Sequence, residues 1–203
     1  VQNFDEILHV SDGIMVARGD LGVEVPAAQV PHIQKTIIKK CAEHYKPVIT
    51  ATQMLDSMQR NPRPTRAEVN DVANAVYDGT DCVMLSGETA AGKYPIDAVS
   101  TMSDICKETE KYVQENKTYY DRHGVRNVNG ATGFAAVEMA DRVNAKCIIV
   151  PTHSGRSARL VSKFRPKVPL YAMSPSVEAV RRTCFYWGGY AFRTTEQGAL
   201  TGT

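Results

Sequence analysis

GIMVARGDLG (residues 13–22) runs five small or apolar residues straight into Arg18-Gly19-Asp20 and then a further glycine. Gly13 to Ala17 is too short for a helix and near-continuously apolar, which predicts a buried strand covered on both faces. Two more runs share that character: Pro47-Val48-Ile49-Thr50-Ala51 and Asp81-Cys82-Val83-Met84-Leu85-Ser86. Between the first two, Ile33, Ile37, Cys41 and Tyr45 recur every four residues, with Lys35, Lys39, Lys40 and Glu43 on the other face, so a helix is expected there. Between the second and third, Thr65-Arg66-Ala67-Glu68 has capping-box spacing, and Val69, Val72, Ala73 and Val76 supply a buried face. The result is β-α-β-α-β with strand centres roughly 30–35 residues apart, the length of a βαβ unit. Such units form parallel sheets or barrels through right-handed crossovers.

A third helix is expected from about Pro95 to Gln114. The polar stretch ENKTYYDRHGVRNVNG (115–130) has no periodicity and is read as a linker. A second α/β pattern follows. It holds a helix near Thr132 to Val143, a strand at Cys147–Val150, a helix around Ser157 to Phe164 and a strand at Pro169–Met173. Ser174-Pro175 should open another helix, with Ser as cap and Pro at the first helical position. The ending TTEQGALTGT (194–203) is not expected to pack. Two domains are therefore expected, 1–115 and 116–203.

Composition is that of an ordinary globular chain: 203 residues, 43% hydrophobic and 23% charged, with a net charge of +2. Neither nucleic acid nor an acidic membrane is expected as a partner, because both call for a concentrated basic surface. No apolar run approaches the ~20 residues that span a bilayer. VQNFDEILHV lacks the regions of a signal peptide, and without an initiator Met the chain is expected to start inside a longer protein. Five scattered cysteines with no CxxC argue against zinc and a disulfide framework, and suit small buried thiols in a reducing cytoplasm.

In parallel α/β folds ligands collect where strands end and βα loops begin. The three strands end in Arg18-Gly19-Asp20, Thr52-Gln53 and Ser86-Gly87-Glu88-Thr89. Two carboxylates and a hydroxyl, with no His or Cys, suit Mg²⁺ better than zinc. An Asp after a strand also serves as a turn residue or helix cap, and spacing alone leaves both readings open.

The ordered strings Ala17-Arg18-Gly19-Asp20-Leu21-Gly22, Ala51-Thr52-Gln53-Met54-Leu55, Pro64-Thr65-Arg66-Ala67-Glu68 and Leu85-Ser86-Gly87-Glu88-Thr89-Ala90 resemble the pyruvate kinase family, over essentially the whole chain. The resemblance implies strands six to eight of a partial (β/α)8 TIM barrel, followed by part of a three-layer α/β/α C-terminal domain. It implies Mg²⁺ (or Mn²⁺)-dependent phosphoryl transfer from phosphoenolpyruvate to ADP, giving pyruvate and ATP in cytoplasmic glycolysis by a homotetramer. Asp20 would bind the metal. Gly19 and Asp20 would hold the substrate carboxylate through backbone N–H groups, with Thr52 beside it, and Glu88 would help relay the proton. Arg18 fits either a site role or a structural ion pair.

The family's catalytic lysine and second metal-binding glutamate lie on strand five, which these residues do not include. The K⁺ site, most nucleotide contacts and the lid are likewise outside them, so this polypeptide alone is not expected to turn over substrate. Thr152-His153-Ser154-Gly155-Arg156-Ser157, with Arg159 nearby, matches a loop that holds a phosphate of a sugar-phosphate effector in allosteric members; Ser capping of a helix is the other reading. Two alternatives from other classes are a non-catalytic sugar-phosphate or anion-binding module, and another Mg²⁺-dependent barrel enzyme of phosphoenolpyruvate or pyruvate, such as an aldolase.

Overall fold

A computed structural model describes residues 2–115 and 127–195. The expected linker falls largely on 116–126 and most of the expected tail on 196–203, outside the described residues. The chain divides into two compact units, Val1–Tyr119 and Tyr120–Thr203. The first contains α1 (Phe4–Val10), β1 (Ile14–Ala17), α2 (Arg18–Glu24), α3 (Val30–Glu43), β2 (Val48–Ala51), α4 (Arg66–Tyr77), β3 (Cys82–Met84), α5 (Gly87–Ala90) and α6 (Pro95–Glu115). The second contains α7 (Val128–Arg142), β4 (Ile148–Pro151), α8 (Arg156–Ser162), β5 (Leu170–Ser174), α9 (Val177–Thr183) and β6 (Gly189–Arg193).

Each unit carries a three-stranded parallel sheet, ordered β1-β2-β3 and β4-β5-β6. Both sheets step in one direction, and right-handed crossovers that step in one direction lay their helices on the same face. In the first sheet that face carries Val16, Val48 and Val83. Val16 and Val48 pack with Ile37, Ile38 and Cys41 of α3, and Val83 packs against the cluster of Met54, Met58, Val72 and Ala98. In the second sheet Val150, Leu170 and Ala172 pack with Val137 of α7 and Ala158 and Val161 of α8.

Among the described residues, helices therefore cover one face of each sheet. Met15 is 51% exposed on the opposite face of the first sheet, and Tyr190 is 57% exposed on that of the second. Beside Tyr190, the Tyr171 ring packs tilted against it at 5.6 Å and against Phe192 at 5.7 Å between centroids. Of the three layers expected for the second unit, the described residues supply a sheet and the helices on one side. No described helix is long and apolar enough to cross a membrane.

Local chemistry sets the element ends. Asn127 caps α7 by accepting from Gly130 N at 2.8 Å, so residues 127–130 form a helix start where a linker was expected. Ser174 does not open α9. It is still paired in β5, opposite Arg193, and its hydroxyl donates to His153 O, so the cap passes to Ser176, which accepts from Ala179 N. On α4 the buried face is Val72, Ala75 and Val76, with Val69 exposed. Tyr45 lies beyond the end of α3 in the left-handed region, φ 56°. The thiols are also not uniformly buried. Burial, helped by the charge of Asp81, pushes Cys41 up to about 12, whereas Cys184 is exposed.

The capping box before α4 does more than start a helix. Thr65 Oγ1 accepts from Glu68 N, and Glu68 Oε2 accepts from Thr65 N at 2.7 Å. The same carboxylate accepts from Ser57 N at 2.7 Å and Ser57 Oγ at 2.6 Å, which ties down the 3₁₀ turn Asp56–Gln59 after β2.

Burial disfavours the charge on Glu68, but the hydrogen bonds from Ser57 and Thr65 outweigh it and hold the carboxyl below its ordinary 4.5. A carboxyl depressed by folding contributes stability above its unfolded value, and that contribution is lost as pH falls through the folded one. Thr65→Ala should lower the unfolding free energy by about 1 kcal/mol at neutral pH. Glu68→Gln should flatten the loss of stability below 4.5, both read from urea midpoints across a pH series.

Candidate active site at the ends of β1 and β2

β1 runs directly into α2 with no intervening loop, so Arg18, Gly19 and Asp20 form the first turn of a helix at the strand's C-terminal edge. Its N-cap, Ala17, offers no side chain to cap it. Its first N–H groups therefore face that edge with the positive end of the helix dipole behind them. Register brings the second strand level, because Ala17 stands opposite Ala51. Just past that pair, two residues on from Ala17 and one from Ala51, Gly19 N donates to Thr52 Oγ1 at 2.9 Å. That hydrogen bond joins two residues singled out from the sequence.

Thr52 and Gln53 both lie in the left-handed region, at φ 71° and 54°. For a β-branched residue this is a real outlier, since Cβ crowds the backbone there. Such a turn persists only when its surroundings hold it, at a cost on the order of 1–3 kcal/mol per residue. Two charged side chains hold this one. Arg18 Nη2 donates to Thr52 O at 2.8 Å and touches Met54 Sδ, while Nη1 donates to Asp71 Oδ1 of α4 at 2.7 Å. On the far side of the turn, Glu88 Oε1 accepts from Leu55 N at 3.1 Å and Oε2 from Ser86 N at 2.8 Å.

Glu88 is 1% exposed, and each of its carboxylate oxygens accepts a backbone N–H. Asp20, by contrast, is exposed in the first turn of α2. No group of three or more His, Cys, Asp or Glu able to hold a metal occurs among the described residues. One exposed carboxylate is a poor donor set for Mg²⁺, which is usually bound through one or two carboxylates with substrate oxygens and water. The described residues therefore do not by themselves fit a complete Mg²⁺ site.

In the second unit, Thr152 is buried and its hydroxyl accepts from Gly155 N at 3.1 Å. Gly155 adopts φ 80° and leads into α8, whose start has no side-chain cap. Ser154, Arg156 and Ser157 are exposed around it. The serine-capping reading of this loop is thereby replaced: the local hydroxyl contact comes from Thr152 and closes the turn before the helix.

The sequence did not single out Asp71 or Met54 as partners of Arg18. Asp71 reads as one more polar residue on an amphipathic helix, and nothing in its spacing links it to a residue 53 positions earlier.

Residues 1–99 match the family model described as pyruvate kinase, barrel domain, and residues 130–202 that described as pyruvate kinase, alpha/beta domain. A pyruvate kinase of Clostridium acetobutylicum is 53% identical over 190 residues, 93% of this chain and 40% of the relative. A pyruvate kinase of Geobacillus stearothermophilus is 53% identical over 192 residues, 94% of this chain and 33% of the relative. The crystal structure of a pyruvate kinase from Cryptosporidium parvum aligns with TM-score 0.91 at 45% identity, covering 98% of this chain and 42% of that one. The chain thus spans 33–40% of the length of these curated relatives.

Glu88→Gln replaces one acceptor oxygen by an NH₂ group facing a backbone N–H, and should lower the unfolding free energy by about 2 kcal/mol. Glu88→Ala should cost more, because it leaves two backbone N–H groups without their acceptor. Wild-type urea midpoints for both variants would show that the carboxylate does not hold the turn.

Proposed function

The chain belongs to the pyruvate kinase family, and we propose that it supplies the substrate-facing edge of a phosphotransferase that moves the phosphoryl group of phosphoenolpyruvate to ADP. The observation that carries this reading is the Gly19 N–H···Oγ1 Thr52 hydrogen bond, 2.9 Å long, at the end of two paired parallel strands. In this reading β1, β2 and β3 are strands six to eight of a (β/α)8 barrel, and the second unit is part of a regulatory domain. The complete enzyme is a cytoplasmic homotetramer.

The helix start receives the substrate carboxylate on the Asp20 N–H beside Gly19, whose own N–H is given to Thr52 Oγ1, where backbone donors and the helix dipole favour an anion. In accepting from Gly19 N–H, the Thr52 hydroxyl keeps its own proton to donate. It is thereby placed to hydrogen-bond a carboxylate or an enolate beside Gly19. Stabilising charge as it develops, with donors already in position, is the main work of phosphoryl transfer. Glu88, for which the family resemblance implies a part in the proton relay, serves in this reading by fixing the turn that carries Thr52, its carboxylate being committed to Leu55 and Ser86. Mg²⁺, for which Asp20 offers one ligand, would supply charge neutralisation in the complete protein, and K⁺ is held elsewhere.

A second reading concerns the 152–157 loop. The exposed Ser154, Arg156 and Ser157 around left-handed Gly155, braced by buried Thr152, suit the phosphate of a sugar-phosphate effector.

Gly19 offers a clean test, because a Cβ added there would meet Thr52 Oγ1 at 3.4 Å, an ordinary contact. Gly19→Ala should fold normally yet obstruct the approach of a carboxylate. In a full-length chain carrying this segment, we expect pyruvate formation from phosphoenolpyruvate and ADP to fall about 100-fold. Asp20→Ala should cripple turnover at ordinary Mg²⁺. Near-normal rates in both would overturn the reading. Arg156→Glu should abolish activation by sugar phosphates while sparing the basal rate, and unchanged activation would remove the effector role.

A further inference from the structure

We infer that Arg18 is a positioning residue for Thr52: its guanidinium clamps the Thr52 carbonyl and so keeps the strained turn, and with it the Thr52 hydroxyl, level with Gly19. The inference deepens the functional reading above and rests on it for its catalytic half. Arg18 leaves β1 beside Gly19, yet its side chain, only 11% exposed, turns back across the sheet edge. Nη2 reaches Thr52 O at 2.8 Å, and Nη1 reaches Asp71 Oδ1 at 2.7 Å. The planar fork thus links the start of α2, the turn after β2 and α4 in one rigid group, which a single ammonium cannot do.

The direction of the hydrogen bond matters. A residue in the left-handed region turns its carbonyl away from the path of the strand, so Thr52 O leaves the ladder and needs another donor. Arg18 supplies a charged one. Without it, Thr52 gains by relaxing toward the extended region that β-branched residues prefer, and rotation there moves Oγ1 away from Gly19 N. Asp71 neutralises the cation and fixes its angle, so the clamp does not leave a largely buried charge unpaired. Thr52 is thus met twice by adjacent residues: at its carbonyl by Arg18 Nη2, and at its hydroxyl by the Gly19 N–H.

Amide hydrogen exchange on this chain tests the clamp directly. The Gly19 N–H is protected by Thr52 Oγ1, and the β1–β2 ladder amides serve as internal controls. Losing a hydrogen bond to a charged donor should speed Gly19 exchange by roughly 10-fold or more in Arg18→Met, with ladder amides unchanged within about twofold. If the ladder opens as well, Arg18→Lys decides, since it keeps the charge and loses the fork. The clamp requires fast Gly19 exchange over an intact ladder there too, and wild-type protection of Gly19 in either variant overturns it.

In a full-length chain carrying this segment, both variants should lower kcat for pyruvate formation about 10-fold or more while KM for ADP stays within about threefold. An unchanged kcat with fast Gly19 exchange overturns the positioning role. Absence of turnover in the unsubstituted full-length chain would instead overturn the functional reading, and the exchange result would still decide the clamp.

Discussion

Parallel register is the constraint on which the candidate site depends. Ala17 lies opposite Ala51, and Ala51 opposite Met84, so the C-terminal ends of β1, β2 and β3 finish at one level. A slip of one residue would turn Val16 and Thr50 away from the helices that bury them. A slip of two would keep the faces but move the strand ends apart by about 6.6 Å, well beyond a hydrogen bond. The core formed by Val16, Val48, Ile37, Ile38 and Cys41 therefore sets the distance between Gly19 and Thr52, although none of those five side chains is at the site.

On that frame the turn at Thr52 and Gln53 is an unfavourable conformation held in place from outside. Arg18 grips its carbonyl, Glu88 grips the N–H of Leu55 just beyond it, and Met54, Leu55 and Met58 bury the chain that follows. Glu68 then fastens Ser57 to the start of α4. The local strain is small beside this combined scaffolding, and its effect is to present a hydroxyl and a helix start to the same point. Reactive groups built on rigid elements in this way need little reorganisation when a ligand arrives.

Much of this could be read from the sequence where one local rule sufficed. The three apolar runs became β1, β2 and β3, and Thr65-Arg66-Ala67-Glu68 became a capping box. An apolar run has the same composition whether one face or both are covered, so the exposure of Met15 and Tyr190 shows only in three dimensions. β6 (Gly189–Arg193) escaped notice because Gly189-Tyr190-Ala191-Phe192-Arg193 lacks the β-branched residues that mark a strand. Ser174 was misassigned as a cap because a Ser-Pro pair does not reveal that the serine is still hydrogen-bonded in a sheet. At the site, Gly19, Asp20 and Thr52 were legible as residues at strand ends. The Arg18–Asp71 pair was not, since a contact across 53 residues leaves no periodic trace.

The burial of Cys41 has a consequence for how this protein can be observed. A thiol near 12 is thiolate at roughly one part in 10⁵ at pH 7, and only the thiolate alkylates or forms mixed disulfides. Cys41 also sits at the contact of α3 with β1 and β2, in the core that sets the strand register. Its modification rate by a soluble alkylating reagent is therefore limited by how often that core opens. Exposed Cys184 in the second unit reacts without any such opening. The chain thus carries its own clock for breathing of the first sheet, with a reference thiol in the same molecule.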